Sequence, residues 1–122
     1  MQKNVFGESL ISCSTKPLTG YFRDGQCSTD ESDFGVHAVC AVLSDEFLAY
    51  SKAQGNDLST PMPQYNFPGL KAGDRWCVCA DRWLDAFKAN CAPLLVLEAC
   101  HEKLLEFIEL QDLVHFAHLE QE

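Results

Sequence analysis

Basic side chains are scarce in this chain. Nine Lys and Arg stand against 18 Asp and Glu, a formal charge of −9 at pH 7. A field of that sign repels phosphate backbones and anionic bilayer surfaces, so neither nucleic acid nor membrane is an expected partner. Long apolar runs are lacking as well: no window approaches the roughly 18 residues needed to cross a bilayer, and residues 1–6 hold no export-signal core. The expected compartment is the cytoplasm. The chain also lacks Gly-x-Gly-x-x-Gly, Gly-x-x-x-x-Gly-Lys, His-Glu-x-x-His and Gly-x-Ser-x-Gly. The common nucleotide-binding, metalloprotease and serine-hydrolase chemistries thereby lose their usual sequence support. The acidic stretch 24–33 fails the ligand and glycine spacing of a calcium loop, and there is no repeat, heptad or low-complexity tract.

What is present describes one globular unit. A length of 122 residues suits a single core, and 47% apolar against 22% charged residues, with eight Phe, three Tyr and two Trp, can fill it. Seven cysteines are an odd number. With no export signal, and with cytosolic thiols kept reduced, the expectation is seven free thiols and no cofactor.

The β-rich run 36–43 predicts a central strand. Ser44 then offers an N-cap, with Asp45 and Glu46 in a first turn, for a helix over 45–54 that Gly55 closes. A second strand is expected over 75–79, a helix over 81–89, a third strand over 94–98, a short helix over 101–106, an extended Phe107-Ile108 and an amphipathic helix over 110–119. The N-terminal third is turn chemistry and supports one hairpin-like segment. These elements give an α+β fold, a small two-layer sandwich of helices on one mostly antiparallel or mixed sheet. A small α/β layer structure is the alternative.

Residues 56–74 combine three prolines with Tyr65 and Phe67, which predicts a long ordered loop. Its opening Asn56, Asp57, Ser59 and Thr60 read either as a turn and cap or as hydrogen-bonding groups for a small ligand, with Arg75 as a nearby anchor for an anion. Cys77 and Cys79, two apart on a strand, share a face if the strand is regular; they read as core residues, as reactive thiols or, if metal is found, as ligands. His37 and His101 lie at strand ends, where an imidazole can act as a base, and His101 could approach Cys77 or Cys79 if the third strand neighbours the second. His115 and His118 read as exposed residues of the last helix.

Several strings taken together are distinctive: Pro17-Leu18-Thr19-Gly20, His37-Ala38-Val39-Cys40, Gly55-Asn56-Asp57-Leu58-Ser59-Thr60-Pro61, Phe67-Pro68-Gly69-Leu70 and Gly73-Asp74-Arg75-Trp76-Cys77-Val78-Cys79. Their order and spacing resemble the bacterial family called domain of unknown function 2237 over residues 4–117. The resemblance implies no activity, cofactor or catalytic residue. Its pattern has two adjacent cysteines where this chain reads Gln26-Cys27, which leaves Cys27 as the one candidate thiol there.

Two functions remain open on the sequence. One is a small-ligand-binding protein or small enzyme with a Cys/His site drawn from His37, Cys77, Cys79, His101 and Cys27, roofed by the 56–74 loop. The other is a non-catalytic interaction module that presents Met62, Tyr65 and Phe67 to a protein partner.

Overall fold

Strand β1 (Val39–Val42) pairs antiparallel with β2 (Arg75–Val78) on one side and with β3 (Leu94–Leu95) on the other, giving the sheet order β2-β1-β3. This computed structural model describes residues 2–118. With helices α1 (Asp45–Ala53), α2 (Ala80–Lys88) and α3 (Leu110–Leu113), the architecture is the expected α+β class with an antiparallel sheet.

The first strand begins three residues later than its apolar run suggests. Val36 sits at φ 51, left-handed backbone that a β-branched side chain rarely adopts, so extended pairing starts only at Val39. Ser44 caps α1 as its sequence position indicates: its hydroxyl accepts from the Phe47 N–H at 3.1 Å. The chain leaves α1 through Gly55 at φ 90, a conformation glycine takes without strain. β2 ends one residue short of the expected 75–79, because Cys79 is the N-cap of α2.

Helix α2 buries Trp83 and Ala86. The indole of Trp83 stacks on Phe87 and meets Phe116 edge-on, and its N–H donates to the Pro93 carbonyl at 3.2 Å, so its one polar atom is satisfied inside the core. The expected strand 94–98 is cut to two residues because Leu97–Ala99 curls into a 3-10 helix. The helix expected over 101–106 is a 3-10 turn, Glu102–Glu106, and Phe107 and Ile108 form a turn instead of extended chain. The last expected helix is α3 followed by the 3-10 segment Val114–Phe116; Leu119 lies outside the described residues. Among the described residues no helix is long and apolar enough to cross a membrane.

The expectation of seven free thiols is overturned. Cys13 is bonded to Cys40 and Cys27 to Cys77, with Cα separations of 5.7 and 5.3 Å that suit bridging. Cys40 and Cys77 face one another across β1 and β2, and each receives a loop cysteine from the N-terminal third. The odd count leaves Cys79, Cys91 and Cys100 free. Compartment does not decide the pairing of these cysteines, which depends on which loops cross which strands.

The bridges also explain how the N-terminal third holds its shape. No helix or strand precedes Val39 among the described residues, only isolated pairings such as Asn4 with His101 and Thr15 with Leu18. Asn4, nearly fully buried, spends its side-chain carbonyl on the Phe6 and Glu8 N–H groups and its amide on the Glu98 carbonyl. Cys13 and Cys27 tie the rest of this segment to the sheet, and the buried residues from Val5 to Leu113 form one cluster.

Candidate active site

Three side chains from two stretches of the chain line up beside β2. Cys79 Sγ lies 3.2 Å from Nε2 of His37, and Nδ1 of the same ring lies 2.7 Å from Oδ1 of Asp33. The fold supplies each for a reason. Cys79 stands where β2 hands over to α2. His37 stands at the left-handed turn before β1, and the Ala80 N–H at the start of α2 donates to the Val36 carbonyl at 2.9 Å, which brings that turn against the helix end. Asp33, four residues earlier, reaches back across the turn.

Asp33 is held rigidly. Its side chain is fully buried, and Oδ2 accepts from the Thr29 hydroxyl at 3.0 Å and from the His37 backbone N–H at 2.8 Å. Burial pushes its carboxyl up, but the hydrogen bonds from His37 and Thr29 and the charge of His37 outweigh this and keep it below the ordinary carboxylate value. The hydrogen bond to Cys79 raises His37 most; burial opposes, Asp33 adds to the rise, and the imidazole is pushed up to about 9. The ring orientation is thus set by a carboxylate behind the imidazole and a sulfur in front of it.

Linkage turns this into a prediction. His37 titrates at about 9 when folded against its ordinary 6.5, so its contribution to stability is complete below about pH 6.5 and is lost as pH rises through 9. Its side chain is one-third exposed. Solvent screening therefore reduces the effect to on the order of 1 kcal/mol. The thermal midpoint of the wild-type chain should fall between pH 6.5 and 9 by several degrees more than that of His37→Gln; parallel curves would contradict the assignment.

The surroundings are close-fitting. The Tyr21 ring stacks on the imidazole at 5.7 Å, with its hydroxyl donating to the Ser32 carbonyl. A Cβ placed on Gly35 would stand 3.0 Å from Cys79 Sγ and 3.1 Å from His37 Cε1. Gly35→Ala should therefore displace the thiol or the ring and slow alkylation of Cys79 several-fold, while global stability changes little; an unaltered rate would show that the pair tolerates the shift. Strained backbone at Val36, directly between Gly35 and His37, is the kind of outlier that persists where surrounding structure enforces it. A cavity of about 70 Å³ opens beside Cys79 and His37, walled by Asn56, Leu58 and Trp76. That is room for a group of a few heavy atoms.

Of the other sequence candidates, Cys77 and Asn56 line the same cavity and the rest lie elsewhere. Cys77 and Cys27 are buried in their shared disulfide. Cys77 therefore does not join Cys79 as a free thiol. His101 accepts from the Lys103 N–H through Nδ1 at 3.0 Å and caps its 3-10 turn; burial, with help from Lys103 and against Glu102, lowers its basicity. Its approach to Cys77 or Cys79 required β3 beside β2, but β3 pairs with the far edge of β1. Asp57 spends its carboxylate on Ser59 and Thr60 in an exposed turn, the local reading of that segment. Arg75 lines a different cavity with Asn4, Glu98 and His118. Of the 56–74 loop, Asn56 and Leu58 reach the thiol cavity, while Tyr65 and Phe67 line another beside Arg23 and face of Trp76.

Burial separates the three free thiols further. Cys100 is enclosed and pushed up to about 12, and burial together with Glu46 raises Cys91. Cys79 alone of the three is partly exposed. Sequence reading named His37 and Cys79 but missed Asp33, Thr29, Gly35 and Tyr21; the four-residue spacing of Asp33 and His37 was the available signal.

The family model described as an uncharacterized protein conserved in bacteria, DUF2237, matches residues 3–117. The chain belongs to this family. The match covers every residue of the Asp33, His37 and Cys79 constellation and both disulfides, so the whole site lies within the DUF2237 domain. No curated protein matches the chain.

Proposed function

We propose that this DUF2237 protein is a small cysteine-dependent enzyme that transfers or hydrolyses acyl groups. The observation that carries the reading is the Cys79, His37 and Asp33 line, with distances of 3.2 and 2.7 Å. A thiol, an imidazole and an orienting carboxylate in hydrogen-bond sequence are the parts of an activated nucleophile. The imidazole within hydrogen-bond reach of the sulfur is the partner a nucleophilic cysteine requires.

In the first half-reaction Cys79 Sγ attacks the carbonyl carbon of an activated ester or thioester. The S–C bond forms, the bond to the leaving group breaks, and His37 delivers its proton to that group. In the second, His37 takes a proton from water, the hydroxide attacks the acyl carbon, and the S–C bond breaks to release a carboxylic acid and restore the thiol. Asp33 fixes the ring through both steps. Asn56 on the cavity wall is the amide assigned to the carbonyl oxygen. A cavity of about 70 Å³ suits a short acyl group, and the exposed Tyr21 ring stacked on His37 offers an apolar rest for the remainder of the substrate.

The test is to incubate the protein with short-chain acyl thioesters and aryl esters, quench, and map adducts by mass spectrometry. An acyl group on Cys79, absent in Cys79→Ser, is the expected result. Turnover retained in Cys79→Ser, or no adduct and no turnover with any acyl donor, would overturn the reading.

A further inference from the structure

Four buried cysteines, of which only Cys77 touches the Cys79 cavity, converge from four places in the chain. Cys40 and Cys77 are direct cross-strand partners on β1 and β2, and Cys13 and Cys27 reach them from the N-terminal third. The sulfurs of Cys13, Cys27 and Cys77 all lie within 4.8 Å of one another, and Cys40 is bonded to the first of these. All four residues are at most 4% exposed.

We propose that these four residues, once reduced, form a tetrathiolate site for one divalent cation of the zinc class. Opening a disulfide moves its two sulfurs from bonding distance to van der Waals contact. Zinc with four sulfurs at about 2.3 Å holds them roughly 3.8 Å apart along each edge of the tetrahedron, close to that contact distance. The donor set is all thiol, and the sulfur cluster contains no carboxylate or imidazole among the described residues, which suits a closed structural site and a soft or borderline ion. Such an ion would also do what the disulfides do, tying a segment without helix or strand to the sheet, and would do it under reducing conditions.

The redox step balances with a phosphine as reductant. Each disulfide is cleaved to two thiols while one phosphine becomes phosphine oxide, with the oxygen and both protons coming from water. The ion then displaces the thiol protons. Cys79 is not a ligand in this arrangement, and the proposal does not require acyl transfer, although Cys77 belongs both to the sulfur cluster and to the wall of the cavity beside Cys79.

The experiment uses the full chain, reduced with phosphine and freed of metal, then titrated with Zn²⁺ or Co²⁺ alone. One ion per chain is expected, with Co²⁺ showing the visible absorption of a tetrahedral tetrathiolate. Alkylation of the wild-type zinc form, mapped by mass spectrometry, should leave Cys13, Cys27, Cys40 and Cys77 protected while Cys79 reacts, which keeps the test free of any variant's folding. Cys27→Ser should lose the stoichiometric ion and Cys79→Ser keep it. A reduced chain that binds neither ion stoichiometrically, whether it remains folded or not, overturns the proposal. So does zinc that shields Cys79 but not the other four.

Discussion

Replacing His37 by glutamine is expected to slow acyl turnover by about 10²- to 10⁴-fold, the usual contribution of a positioned general acid and base. Asp33→Asn should cost a comparable factor although it touches no substrate, because the carboxylate accepts through both oxygens and an amide has only one, so either the ring or the Thr29 and His37 backbone donors would face an NH2 group and the imidazole loses its orientation. The carboxylate now accepts three hydrogen bonds, from the His37 ring, the His37 backbone and Thr29, so that rearrangement reaches the whole turn. Cys79→Ala should abolish adduct formation. Steady-state kinetics on the variants, with circular dichroism to show that the fold persists, checks these outcomes. His37→Gln or Asp33→Asn at the wild-type rate would remove the imidazole from the mechanism.

Loss of the Cys27–Cys77 bridge carries the largest expected stability effect. The bridge joins residues 50 apart. In the chain-entropy picture, closing a loop of that length contributes about 4 kcal/mol. Cys27→Ser should lower the thermal midpoint by roughly 15 °C under non-reducing, metal-free conditions. Cys13→Ser should act similarly and slightly less, since its loop spans 27 residues. Calorimetry on the oxidised protein reads this directly. An unchanged midpoint in Cys27→Ser would mean that the bridge does not hold the folded protein together in solution.

The parts of the fold governed by local chemistry were legible in the sequence. Ser44 capping α1, Gly55 ending it and Trp83 facing the core follow from neighbours within a few residues. The shortening of β1 was not legible, because nothing in the string Gly35-Val36-His37 shows that Val36 takes φ 51; the enforcing contact is its carbonyl under the Ala80 N–H, more than forty residues on. The candidate site divides in the same way. Cys79 and His37 could be named as reactive types near strand ends, and Asp33 with His37 is a local pair. The meeting of His37 with Cys79 depends on β1 and β2 being neighbours, and the separation of His101 from them depends on β3 taking the opposite edge. The disulfides are non-local for the same reason: each joins a loop whose path has no periodic signal to a strand.

One measurement bears most directly on the claim that Cys79 is an activated nucleophile: the rate of iodoacetamide modification of each cysteine near neutral pH, followed by peptide mass spectrometry in the oxidised wild-type chain and in His37→Gln. The account predicts that Cys79 reacts far ahead of the buried Cys91 and Cys100, and that His37→Gln slows it by about tenfold or more as the sulfur loses its imidazole partner. Equal rates at Cys79 in the two proteins would contradict it, since the imidazole 3.2 Å away would then do nothing to the sulfur.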